Sequence, residues 1–302
     1  DMARHLDVTG TNYYPPYGAD GRAAAFGLAA CRSYKARNFQ LHELRSGSQN
    51  LPGAGGSSPE PGEVIRSTLH VVAHGAEAIY YFRWRICPFG AEQHWGSITD
   101  YDGRPTRVYD EVKTVGAGLR RLAPLLDDTA VVSDVAVLYD FPTRWLLETG
   151  VSLNVHPSLY LDRAKLLYQA ARARGVTCDA VGREGDFSRY RVLLVPPMPA
   201  VDDALAARLR AFVAGGGVLL WHPWSGSRDR DSQYYPTRLH PALEALLGVR
   251  LGEFIAMAPG PRDVVPDPER PGAPADPARS CAFRWHGRSY AAGLYADLIT
   301  PH

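Results

Sequence analysis

Short apolar runs with a two-residue period alternate along this chain with longer stretches whose apolar positions recur every three or four residues. The first spacing puts successive side chains on opposite faces of a strand, and the second lines one face of a helix. Leu6–Thr11 begins as a strand and stops before Pro15-Pro16, because prolines cannot donate to a ladder. Ala23–Arg37, Ala-rich with Phe26, Leu28 and Cys31 at near-helical spacing, predicts a helix. Phe39 and Leu41 alternate with Gln40 and His42 as a strand, and Ser46, Gly47, Ser48 and Asn50 read as the turn after it. The Gly-, Pro- and Ser-rich residues 51–62 predict a mobile loop. A helix over Pro61–Ala73 follows, with Val64, Ile65, Leu69 and Val72 on one face, and Ala78–Trp84 reads as a strand apolar on both faces. Arg107–Leu125 carries Val108, Val112, Val115, Leu119 and Leu122 at helical steps, with Glu111 as a solvated charge. Asp127-Asp128 breaks that pattern, and a domain boundary is expected at about residue 128.

From Val132 the same alternation resumes. Strands are predicted over Asp134–Tyr139, Val176–Val181, Arg191–Pro196 and Val218–Trp221, and helices over Leu159–Arg174 and Asp202–Ala214. Gly175 stands where a helix C-cap glycine belongs, and Gly215-Gly216-Gly217 ends the next helix. Strands and helices in strict turn mean a doubly wound parallel sheet. The triple glycine is not a phosphate loop, since it follows a helix and opens a strand, the reverse of what phosphate binding needs. Residues 258–280 are proline-rich and predict an irregular connection, after which Cys281–Ile299 reads as a strand pair of the same domain.

The 302 residues suffice for one large or two ordinary domains, and 45% hydrophobic with 22% charged residues is a globular balance. A net charge of +1 with no basic run gives no reason to expect nucleic acid or an anionic membrane as partner, so a small neutral molecule is favoured. No apolar stretch reaches the ~18 residues a membrane span needs. The four cysteines, Cys31, Cys87, Cys178 and Cys281, lack C-x-x-C spacing and read as free thiols of a reducing, cytoplasmic compartment, with no metal centre and no cofactor implied.

The chemistry concentrates at Glu43, a carboxylate where the strand from Phe39 runs into its turn. About thirty residues on comes a second block: Ala73-His74-Gly75-Ala76, then Phe82-Arg83-Trp84-Arg85, then Gly90-Ala91-Glu92. Asp102-Gly103, Arg107 and Glu111-Val112 follow in order. These motifs, over about 120 residues, resemble glycoside hydrolase family 42, the β-galactosidases. The resemblance implies an α/β fold: the last three strands of a (β/α)8 TIM barrel over 1–128, then a doubly wound, glutamine-amidotransferase-like trimerisation domain over 129–302.

It also implies a retaining β-galactosidase with Glu43 as nucleophile, no cofactor, a β-galactoside as partner and a homotrimer in the full-length protein. Asn12 and Tyr14 fall at the polar and aromatic positions of the family's sixth strand. Tyr14 either bonds the nucleophile or simply caps the strand end. Glu92 matches the sugar-binding Glu, and the His expected three residues later is replaced by Trp95, with His94 one earlier. Asn50 matches the Asn after the nucleophile strand, while Leu51 stands where a sugar-stacking Trp is usual. Trp84 is either a sugar platform or a core residue. Galactosides and α-L-arabinopyranosides both fit the family.

Glycoside hydrolysis needs two carboxyl groups, and no Asn-Glu pair of the kind that carries the family's acid/base occurs in the sequence. Three barrel strands where eight are needed point the same way. The chain is therefore expected to be a fragment, inactive alone. A non-catalytic carbohydrate-binding or assembly protein descended from the enzyme is the alternative. Amidotransferase activity is disfavoured, because Cys178 sits inside a strand and not at a nucleophile elbow.

Overall fold

The structure, a computed structural model, describes residues 2–14, 22–49, 58–149, 159–256, 281–285, 288–292 and 295–301. They form two compact units, Asp1–Ser133 with Ala171–Val181, and Asp134–Ala170 with Gly182–His302.

The first unit opens with strand β1 (Gly10–Tyr13), helix α1 (Arg22–Lys35), strand β2 (Phe39–Arg45), helix α2 (Glu63–Ala73), strand β3 (Ala76–Phe82) and helix α3 (Arg107–Leu126). The strands make a parallel sheet in the order β1-β2-β3. Its helix-side face buries Tyr13, Phe39, Leu41, Leu44 and Ala76 against Leu28, Cys31 and Val71. Phe39, Leu41 and Leu44 cannot share one face of a regular strand, because Leu41 and Leu44 differ in parity. The register supplies the reason: Thr11 pairs Leu41 and Asn12 pairs Glu43, so one residue of β1 spans two of β2. A β-bulge within His42–Glu43 returns Leu44 to the core and turns Glu43 away from it.

Three sequence expectations are corrected here. The third strand runs Ala76–Phe82, two residues earlier than expected, and is not buried on both faces, with Tyr80 54% exposed. It is an edge of the described sheet, so it lacks a neighbour to cover it. On α2 the buried positions are Val64, Thr68 and Val71, whereas Leu69 is exposed. Thr68 can be buried because its hydroxyl bonds the Val64 carbonyl at 2.7 Å and the Tyr81 hydroxyl at 2.7 Å. Glu111 on α3 is buried, not solvated, and is paired with Arg107, whose other nitrogen donates to the Pro59 carbonyl at 2.5 Å.

Further on come strand β4 (Val135–Leu138), helices α4 (Phe141–Thr149) and α5 (Leu159–Arg172), and strand β5 (Cys178–Val181). Strand β6 (Val192–Val195), helix α6 (Asp203–Ala214) and strand β7 (Val218–Trp221) follow. The sheet order is β5-β4-β6-β7, and β4 pairs β6 and β6 pairs β7 in parallel, the expected doubly wound arrangement. Asp202 caps α6 by accepting from Leu205 N at 2.9 Å, and Gly215 and Gly216 end it. Helix α4 was not foreseen. Neither was α7 (Pro241–Leu247), although it has Pro at its start and the left-handed Gly248 at its end. Strand β8 (Val249–Ala256) pairs antiparallel with β11 (Tyr295–Pro301), and β9 (Cys281–Trp285) with β10 (Arg288–Ala292). Cys178 lies in β5, as expected. The proline-rich connection and the loop residues 50–57, Asn50 included, lie outside the described residues. Among the described residues no helix is long and apolar enough to cross a membrane.

Candidate active site

In a parallel β/α sheet all strands finish on one side, and residues just past their ends share that side. Here these are Tyr14 after β1, Ser46 after β2 and Arg83 after β3. Glu43, carried two residues before the end of β2, faces them because of the bulge.

The Glu43 carboxylate is held from β1. Tyr14 donates its hydroxyl to Oε2 at 2.7 Å, and Asn12 Nδ2 donates to the same oxygen at 3.0 Å. Asn12 and Tyr14 are two residues apart, so their side chains leave β1 on one face. Of the two readings of Tyr14, the bond to Glu43 is the one the structure contains. The other oxygen, Oε1, takes no hydrogen bond among the described residues. Burial raises the Tyr14 pKa far above the usual 10.0, and the bond to Glu43 and the charges of Glu43 and Glu92 push it further. The phenol therefore remains a proton-bearing donor.

The loop after β3 brings up the second carboxylate. Arg83 Nη1 donates to Glu92 Oε2 at 2.9 Å, and Nη2 donates to the Glu92 carbonyl at 3.0 Å. This loop is seated against the end of β2: Ser46 Oγ donates to the Phe82 carbonyl at 2.8 Å, and Gly96 N to the Ser48 carbonyl at 2.9 Å. The approach is so close that a Cβ on Gly47 would lie 2.0 Å from the Gly96 carbonyl carbon. Only two glycines can cross there.

The aromatic candidates divide. Trp95 is half-buried and meets Phe82 edge-on at 5.9 Å, whereas Trp84 is 64% exposed and touches Tyr109 edge-on at 6.2 Å. His94 is exposed and presents its main-chain oxygen to Ser48 Oγ at 3.4 Å. The sequence reading left out Asn12 and Arg83 as site residues. The period-two spacing of Asn12 to Tyr14 was a usable signal, while nothing local marks Arg83 as a partner of Glu92.

Among the described residues no group of three or more His, Cys, Asp or Glu could hold a metal ion, which does not fit a Cys-cluster metal site.

Parallel β/α units with a polar cluster past the strand ends, and a doubly wound parallel sheet after them, define the class: an α/β protein whose first unit has the strand–helix–strand order of a (β/α) barrel. Residues 1–122 match the β-galactosidase model of glycoside hydrolase family 42, and residues 133–302 match the β-galactosidase trimerisation domain. The chain belongs to that family. β-Galactosidase GalA of Bacillus licheniformis is 30% identical over 99% of this chain and 42% of its own length. GanA of Bacillus subtilis is 29% identical over 87% of this chain and 40% of its own length. The structure of Gan42B, a GH42 β-galactosidase from G. stearothermophilus, superposes with a TM-score of 0.86 at 28% identity, covering 100% of this chain and 42% of that one. The chain thus spans about two fifths of the length of these relatives.

Proposed function

We propose that this chain supplies the nucleophile and part of the sugar subsite of a retaining β-galactosidase that releases terminal β-D-galactose by double displacement. The observation that carries the reading is the asymmetry at Glu43: both donors from β1 bind Oε2, and Oε1 is left for bonding to the anomeric carbon. Two donors on one oxygen fix the carboxylate's orientation and stabilise its anion without blocking the attacking lone pair. Attack from Oε1 gives a glycosyl ester and expels the aglycone, which takes a proton from a second carboxylic acid. Water then cleaves the ester, so the β configuration is kept. In retaining enzymes the two carboxyl groups stand ~5–5.5 Å apart.

Glu92 accepts sugar hydroxyls, and Trp95 with His94, Trp84 and Asn50 completes the subsite in this reading. The proton donor comes from outside these 302 residues, so that this chain alone does not turn over substrate. Residues 133–302 carry the contacts of a homotrimer, a reading supported by their match to a trimerisation domain. A cytoplasmic setting is part of the proposal, supported by the free thiols of Cys31 and Cys87.

The test is rescue of a nucleophile variant in the full-length gene product. Glu43→Gly is expected to lower kcat by at least about 10³-fold, the scale of removing a member of a catalytic unit. Azide then attacks the unprotected face and yields α-galactosyl azide. A β-azide product would assign Glu43 the acid/base role, and an unimpaired variant would remove it from the chemistry.

A further inference from the structure

Within the loop that follows β3, the side chain of Arg83 holds Glu92 to the strand end. One guanidinium grips two different atoms of the same residue, the carboxylate oxygen Oε2 at 2.9 Å and the main-chain oxygen at 3.0 Å. An ammonium is a point donor and cannot bridge the two in fixed geometry. Arg83 is itself held on several sides. Its carbonyl accepts from Ile98 N at 3.1 Å and from Ser97 Oγ, and its guanidinium lies 5.3 Å from the Phe82 ring centroid. Phe82 in turn packs edge-on against Trp95. The arginine side chain is 21% exposed and the glutamate 42%, so the donor end of the pair is fixed in the protein while the acceptor end faces out.

Two valences are left over, and they differ in kind. Arg83 Nε is buried and finds no acceptor among the described residues. Glu92 Oε1 takes no hydrogen bond among the described residues, and its side chain is the more exposed of the two. With Oε2 and the backbone both gripped, the carboxylate has one orientation, and Oε1 is the oxygen it offers.

We propose that Arg83 is a positioning residue for recognition of the sugar. By holding Oε2 and the main chain of Glu92, it presents Oε1 to the sugar hydroxyls in a preorganised direction and so sets which hydroxyl arrangement is bound tightly. This rests on the reading of Glu92 as a sugar ligand. A carboxylate fixed before the ligand arrives loses little freedom on binding, and a misplaced one loses both hydrogen-bond geometry and selectivity.

The experiment is a double-mutant cycle on the full-length gene product with p-nitrophenyl β-D-galactoside, using Arg83→Met, Glu92→Ala and the pair. Arg83→Met is expected to raise KM by roughly ten- to a hundredfold, while kcat falls by less than about tenfold. In the Glu92→Ala background the same change is expected to add less than about twofold, because its effect passes through Glu92. Arg83→Lys, which keeps the charge but not the fork, should recover only part of the KM, and it carries the same cycle if Arg83→Met does not fold. Equal KM increases with and without the Glu92 side chain would overturn the inference, since a general packing role acts in both backgrounds. A wild-type protein without galactosidase turnover would fail the glycosidase reading and this inference with it. An active wild type with an additive cycle would fail this inference alone.

Discussion

Tyr14 tests the assignment at the scale of one residue. Its hydroxyl gives a charge-assisted hydrogen bond to Glu43, and burial with two nearby carboxylates keeps it protonated far above the ordinary tyrosine range. Tyr14→Phe is therefore expected to cost about 1.5–3 kcal/mol of transition-state stabilisation, a roughly ten- to 150-fold drop in kcat/KM. No new limb should appear in the pH profile below pH ~10, because the phenol does not titrate there in the wild type. Steady-state kinetics of the full-length product checks both, and unchanged kcat/KM would return Tyr14 to a simple strand cap. Glu43 was legible in the sequence as a carboxylate at a strand end, and Tyr14 and Glu92 as candidates through the family resemblance. Arg83 was not, since its partner is set by how a loop folds back and not by spacing.

At the scale of elements, two devices shape the site. The β2 bulge decouples Glu43 from the parity of Leu41, which pure period-two reading would have sent into the helix-side core. The Gly47–Gly96 crossing then lets the loop bearing Glu92 close against β2. Gly47→Ala is expected to push these segments apart, with KM for galactosides rising about tenfold or more and stability falling by about 1–3 kcal/mol, as overpacking does. Kinetics and urea melts of the variant measure this, and a variant with wild-type KM would show that the loop tolerates displacement. Helices α5 and α6 were legible from apolar spacing and terminal glycines. The buried face of α2 was not, because Thr68 enters the core through hydroxyl bonds that hydrophobicity alone does not register. Helix α4, short and opened by Phe141-Pro142, offers little periodicity, yet Asp140 caps it by accepting from Thr143 N at 2.7 Å.

At the scale of the whole molecule, acid sensitivity is built in behind the site. His74, at the C-terminal end of α2, is buried beside His70 with ring centroids 4.4 Å apart, and the Nε2 atoms of both rings find no partner among the described residues. The His74 pKa is lowered from 6.5 to about 4, first by burial and then by the charges of His70, Arg172 and Arg32, against the opposing bond to the His70 carbonyl. Arg32 donates to the His74 carbonyl at 2.7 Å and pairs with buried Asp179, and Tyr13 stacks on His70 at 5.6 Å. A depressed histidine is neutral in the fold while the unfolded chain takes up the proton. Stability from this group is thus full above pH 6.5 and is lost as pH falls towards 4. Urea unfolding between pH 7 and 4.5 should show about 2–3 kcal/mol of loss from this residue, absent in His74→Gln. An equal loss in the variant would assign the acid sensitivity elsewhere.

The central claim is that Glu43 forms the bond to galactose, and covalent trapping tests it most directly. A 2-deoxy-2-fluoro-β-galactosyl fluoride forms the glycosyl ester but slows its hydrolysis, so the sugar stays on the nucleophile. After trypsin, the label is predicted on the peptide Asn38–Arg45, whose one acidic residue is Glu43. Full-length enzyme that keeps its activity with no label there, or that carries the label on another carboxylate, would contradict the account.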